Sequence, residues 1–141
     1  MARTYNPKKV SISLGNHTVT GFLKGTFLTI SRNSDAFSVE PGSDGEVARV
    51  ASADESGTYV LAVMQTSATN DFLSDKLAAD IASNVDTFPV LVKDLSGSTI
   101  SQAAEAWVKK AADVVFSDGI EGREWTIETG KQVTKVGSNT P

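Results

Sequence analysis

Residues Ala103 to Glu128 carry two alternating apolar and polar runs, each centred on a tryptophan, on either side of an acidic turn that contains glycine. Period-two alternation marks a strand with one buried face, because successive side chains on a strand point to opposite sides. The segment predicts a pair of strands bearing Trp107 and Trp125. It points to an antiparallel β protein rather than an α/β enzyme.

The rest of the chain agrees. Val10-Ser11-Ile12-Ser13-Leu14 alternates and reads as a half-buried strand, followed by turn residues at Gly15-Asn16. Thr18 to Ile30 is a second apolar run, with Gly21 and Gly25 marking a bulge or bend. Phe37-Ser38-Val39 is a short strand closed by Pro41-Gly42. Val47 to Ala51 and Thr58 to Gln65 flank Asp54-Glu55-Ser56-Gly57, which reads as a hairpin with a glycine-bearing turn. Glu40 to Gly57 is the most polar stretch, with five acids against the single base Arg49. A hairpin with so polar a tip is expected to project from the body.

One helix is predicted over residues 70–84. Asn70 serves as N-cap, Asp71 suits the first turn, and Leu73, Leu77 and Ile81 form one apolar stripe. Asn84 suits a left-handed stop, and Pro89 forbids continuation. A helix with one apolar stripe packs on a partner, and the partner on offer is the sheet. Phe88 to Leu95 is the next strand. Thr99 to Lys110 is ambiguous. As a helix, Ala103, Trp107 and Ala111 share a face; as a strand, Ala104, Ala106 and Val108 point one way and Glu105, Trp107 and Lys109 the other. Turns at hairpin spacing favour the strand. Asp113 to Phe116 continues or kinks it, and Arg123 to Thr129 alternates as the last strand. The total is about eight strands and one helix, flanked by a polar arm at residues 1–8 and a polar tail at 130–141, all in one domain over residues 1–141.

Composition narrows the function classes. No cysteine is present, which excludes disulfides, thiolate zinc sites and thiol nucleophiles. The net charge is −4 and the bases are scattered, the densest group being Arg3, Lys8 and Lys9; proteins that read nucleic acid normally show a basic face. No apolar run reaches the ~20 residues that span a bilayer, and the N-terminus lacks a signal-type apolar core. The sequence predicts a soluble chain that does not insert into membranes.

No constellation points to catalysis or to a cofactor. His17 is the only histidine, and no serine or cysteine motif frames it. Asp44-Gly45-Glu46 and Asp54-Glu55 do not match a calcium loop. The glycines match neither a Walker loop nor a dinucleotide fingerprint. Asp118, Glu121, Glu124 and Glu128 invite comparison with glycosidase carboxylate pairs, but a charged exposed strand face explains Glu124 and Glu128 better. Trp107 and Trp125 suit either the core or an interface.

Ala106-Trp107-Val108-Lys109-Lys110, then Val114-Val115-Phe116 and Arg123-Glu124-Trp125, resemble tail tube proteins of contractile-tailed bacteriophages. The order of elements is similar over nearly the whole chain: the strand from Lys9-Val10, the run from Gly21 to Ile30, the polar hairpin and the helix. The resemblance implies an antiparallel β-sandwich or barrel with one flanking α-helix, related in fold to the inner-tube protein of type VI secretion. It implies six copies per ring, and rings stacked into a tube. It implies a sheath protein outside, a tape measure protein in the lumen, and DNA passing without specific binding. Such a protein resides in the virion tail, after assembly in the host cytoplasm.

Geometry agrees with that expectation. Four strands from each of six copies, at ~4.8 Å spacing and ~45° tilt, give a barrel roughly 160 Å around and a bore of about 40 Å. A duplex fits such a bore. The long polar hairpin supplies the first candidates for inter-subunit contact, Asp44, Glu46, Arg49, Asp54 and Glu55. The arm supplies Lys8 and Lys9. Three alternatives stand beside the tube subunit: a tube-initiating baseplate ring or a terminator ring of the same fold, a β-sandwich binding module, and, least supported, a glycosidase-like enzyme.

Overall fold

The computed structural model describes residues 3–139; residues 1–2 of the predicted arm and 140–141 of the predicted tail lie outside that range. After a 3₁₀ turn at Pro7–Lys9, the elements are β1 (Val10–Leu14), β2 (His17–Thr18), β3 (Leu28–Arg32), β4 (Phe37–Pro41), β5 (Val47–Ala51), β6 (Gly57–Met64), α1 (Thr69–Ser83), β7 (Phe88–Asp94), β8 (Ile100–Lys110), β9 (Gly122–Thr129) and β10 (Gln132–Lys135). Every strand pairing is antiparallel.

The main sheet runs β2-β1-β7-β8-β9-β6-β3, with β10 beside β8. Its two ends bury their side chains in one cluster. Ile12 and Leu14 of β1 and Val90 and Val92 of β7 meet Tyr59, Leu61 and Val63 of β6 and Trp125 and Ile127 of β9. A sheet whose ends share a core has folded over on itself, so the architecture is the expected mainly-β sandwich with one flanking helix. Each fully buried aliphatic side chain in it contributes about 1.5–3 kcal/mol.

β8 is the strand common to both layers. Its first half pairs with β7 and β10, and its last half with β9. The strand reading of this segment is therefore right, and Trp107 and Trp125 do lie on paired strands. The predicted facing fails at Ala104. Phe88 pairs with Ala106 and Val90 with Ala103, so β8 carries one extra residue there. This bulge turns Ala104 to solvent while Ala103 and Ala106 stay buried. Trp125 is a core residue, whereas Trp107 on the opposite face is half-buried.

Four further expectations are corrected. The hairpin partner of β5 is β4, not the 58–65 strand, which lies between β3 and β9. Residues 111–121 form an irregular loop, not a continuation of β8. The polar tail carries a strand outside the eight expected: β10 pairs with β8, and Gly97 bridges Asn139. The run from Thr18 to Ile30 is strand only at its ends, with an isolated bridge from Phe22 to Val63 between.

The helix starts at Thr69. Asn70 lies inside it and is not its cap; Ser67 Oγ accepts from Thr69 N (3.2 Å) instead. Leu73 is fully buried and Leu77 packs against the core, but Ile81 is 70% exposed, because the helix runs off the sheet at that end. Asn84 does adopt the left-handed stop, with φ of 63°.

Candidate assembly surfaces

Among the described residues, β4 and β5 form a two-stranded ribbon that joins no other strand, and all ten of their residues are exposed. The register pairs Phe37 with Ala51, Val39 with Arg49 and Pro41 with Val47. Alternation places these six side chains on one face of the ribbon. That face is largely apolar, and Val39 is 64% exposed. The Arg49 guanidinium lies over the Phe37 ring, 4.4 Å from its centroid.

The ribbon tip is a tight acidic turn. Gly42 N donates to Glu46 O (2.6 Å), and Asp44 Oδ1 accepts from Glu46 N (3.1 Å). Gly45, with φ of 89°, takes a conformation that L side chains rarely adopt. Of the candidate contact residues, Asp44 and Glu46 sit at this tip and Arg49 sits on β5.

Asp54 and Glu55 sit elsewhere, where the ribbon rejoins the body. Asp54 accepts from Ser34 Oγ (2.6 Å), from Ser56 Oγ (2.6 Å) and from Ser56 N (3.0 Å). These hydrogen bonds, Ser34 foremost, hold its carboxyl down to about 2 from an ordinary 3.8. Glu55 lies 3.9 Å from Lys131, and its backbone O accepts from Gln132 N (2.9 Å). Asp54 thus ties the two legs of the ribbon base together, and Glu55 links that base to the start of β10. Lys8 and Lys9 lie in the 3₁₀ turn, exposed, with no ion pair among the described residues.

Beside that turn is a groove of about 750 Å³, between β1 and the segment 18–27. Val10, Ile12, Phe22 and Phe27 give it an apolar floor, and Lys8 and Lys24 are its charged residues. Sequence reasoning missed it, because its walls come from separate stretches. The local signs are Gly21 and Gly25, with φ of 72° and 96°; at Gly21 the segment turns against Ser67.

A third surface is the 111–121 loop, which exposes Val114, Val115, Phe116 and Ile120, with Phe116 80% exposed. Arg123, only 8% exposed, tethers it from below.

Two of the residues considered for catalysis, His17 and Glu128, have structural partners. His17 Nε2 lies 2.9 Å from Thr69 Oγ1, and its ring stacks on Phe72 at 4.7 Å, so it ties β2 to the helix. Glu128 lies 3.9 Å from Lys109 on the outer face of the β8–β9 pair. No group of three or more metal-ligating side chains occurs among the described residues.

No protein-family model matches the chain. Structural protein ORF10 of Pseudomonas phage KPP10 is 28% identical over 96% of this chain and 83% of its own length. Among solved structures, the sheath/tube terminator of the extracellular contractile injection system PVC matches with a TM-score of 0.68 at 13% identity, over 96% of this chain and 99% of that one. A chain of the PVC sheath-tube complex matches with a TM-score of 0.64 at 12% identity, over 94% of this chain and 91% of that one. The resemblance to tail tube proteins is thereby borne out: the chain is a relative of a phage structural protein and has the fold found in tube and tube-terminator assemblies of contractile injection systems.

Proposed function

We propose that this protein is a structural subunit of a phage tail tube, assembling into stacked rings of six that conduct the genome. One structural observation carries this reading beyond the relatives. A single copy leaves a whole two-stranded ribbon unpaired and unburied, with an apolar face in water. An isolated two-stranded ribbon is marginal in water, and neighbouring copies would supply the missing burial. In this reading the protein acts without enzymatic chemistry. Asp44, Glu46, Arg49, Lys8 and Lys9 face other copies, while Asp54 and Glu55 set the angle of the ribbon. The single domain contacts a sheath protein outside and a tape measure protein inside the lumen. Its net charge of −4 suits a conduit that does not retain DNA.

The alternative is a ring that ends the tube. The match to a sheath/tube terminator supports it as well as the sheath-tube match supports a tube subunit. Negative-stain electron microscopy across a concentration series separates the two. Stacked rings with a bore of about 40 Å are the expected result for a tube subunit. Discrete rings that never stack mark a terminator, and a chain that stays monomeric at every concentration moves the weight to a β-sandwich binding module.

A further inference from the structure

The surfaces above include two that complement each other on a single chain. The ribbon tip is acidic: Glu40, Asp44 and Glu46 occur between Phe37 and Ala48 with no base among them. The adjoining base, Arg49, is engaged over Phe37. Val39, Pro41 and Val47 stand behind the tip on one face. The groove has the opposite character. Among the described residues its lining contains Lys8 and Lys24, no carboxylate, and an apolar floor. Lys9, next to it, adds a third cation.

We propose that the acidic tip of the β4–β5 ribbon of one copy seats in the lysine-rimmed apolar groove of the next copy. Val39 and Val47 pack on the floor, and Asp44 and Glu46 meet Lys8 and Lys24. This deepens the reading of the chain as a self-assembling subunit and rests on it.

Three physical points carry the assignment. The volume of about 750 Å³ falls in the range of clefts that take a compact group of side chains. The ribbon is long enough to deliver its tip, since five residues per strand at ~3.4 Å each give an arm of roughly 15 Å. The contact is heterologous, tip into groove, so every copy offers one free tip and one free groove. Repetition then closes a ring or extends a stack without a second kind of protein. The charges add orientation and salt sensitivity rather than most of the energy, because exposed pairs are screened within about 10 Å at 0.1 M salt.

The absence of native cysteine allows a direct test. Full-length E46C and K24C proteins are mixed where the unmodified chain assembles, then oxidised. A disulfide-linked dimer containing one copy of each is the expected product, in excess of either homodimer. In parallel, K24E and E46K each raise the concentration needed for assembly roughly tenfold, a change of about 1.4 kcal/mol. The double variant K24E/E46K recovers most of that loss. Circular dichroism confirms that these surface variants fold. If the chain assembles but the mixed disulfide does not form and the charge reversals change nothing, the ribbon seats elsewhere; the tip-in-groove contact is then wrong and the structural-subunit reading stands. If the unmodified chain never assembles, both are wrong.

Discussion

Trp125 Nε1 donates to Asn70 Oδ1 at 2.9 Å, tying the centre of β9 to the first turn of the helix. Asn70 in turn donates from Nδ2 to the carbonyls of Met64 (3.0 Å) and Ser67 (3.1 Å). One amide thus closes the β6-to-helix connection and satisfies a core indole. Asn70→Ala leaves the indole N–H without a partner and is expected to cost about 1–3 kcal/mol. Asn70→Asp keeps the acceptor but turns a carboxylate toward two carbonyl oxygens, so it does not rescue. Denaturant unfolding followed by tryptophan fluorescence checks both; an Asn70→Ala midpoint equal to that of the parent protein contradicts the account.

Arg123 holds the apolar loop in place. Its Nη1 donates to Val115 O (3.3 Å) and Gly122 O (3.1 Å), and its guanidinium lies 5.5 Å from the Phe116 ring centroid. Replacing it with methionine keeps apolar bulk but removes both bonds and the cation–π contact, at an expected cost of about 1–3 kcal/mol. The loop should then open locally, with several-fold faster chymotrypsin cleavage after Phe116. Lysine should restore little, because it lacks the planar fork. Unchanged cleavage in Arg123→Met would show that the tether does not restrain the loop.

The sequence disclosed what alternation and turn chemistry encode locally. β8 and β9 were legible because each alternates around a tryptophan, and the helix stop was legible at Asn84. Register was not. Val47–Ala51 alternates equally well against Phe37–Pro41 and against the strand beginning at Gly57, and the polar Asp54–Gly57 turn drew the pairing to the wrong side. The turn that closes the hairpin is the tighter one, with Gly42, Asp44 and Gly45. β10 was missed because its inward residue is Gln132, a polar side chain buried by hydrogen bonds rather than by hydrophobicity. The same limit applies to the candidate site. Asp44 and Glu46 at an exposed tip could be read from composition. The groove could not, because Lys8 and Lys24 come together only through the β1–β2 reversal and the segment after it.

Asp54 gives the ribbon base a pH dependence. Its folded pKa, about 2, lies below the ordinary 3.8, so its hydrogen bonds stabilise the folded chain above about pH 4. That stabilisation is lost as pH falls through 2. A carbon-detected titration of the Asp54 carboxyl should show an inflection near the lower value, and Ser34→Ala should raise it, since the Ser34 hydroxyl is the largest cause. An inflection at the ordinary carboxylate value in the unmodified protein would refute the network.

A chain of hydrogen bonds crosses the inside of the sandwich: Tyr59 OH to Ser101 Oγ (2.6 Å), Ser101 Oγ to Thr134 Oγ1 (2.8 Å), and Thr134 Oγ1 to Gln132 Oε1 (3.0 Å). It joins β6, β8 and β10, with the Gln132 amide lying over Gly57. A side chain at Gly57 would collide with that amide, so Gly57→Ala is expected to lose about 1–3 kcal/mol through overpacking. Tyr59→Phe should cost about 1 kcal/mol, because Ser101 keeps its bond to Thr134. Burial raises the Tyr59 pKa above the ordinary 10, against the lowering effect of Ser101. The folded state is therefore stabilised by neutral Tyr59 below that value and loses the contribution as pH rises through the raised pKa. In a Tyr5→Phe background, Tyr59 is the only tyrosine left, and its tyrosinate absorbance should emerge later than that of a free tyrosine and together with unfolding. Ionisation at the free-tyrosine value in a chain that remains folded would show that Tyr59 is not sealed in the core.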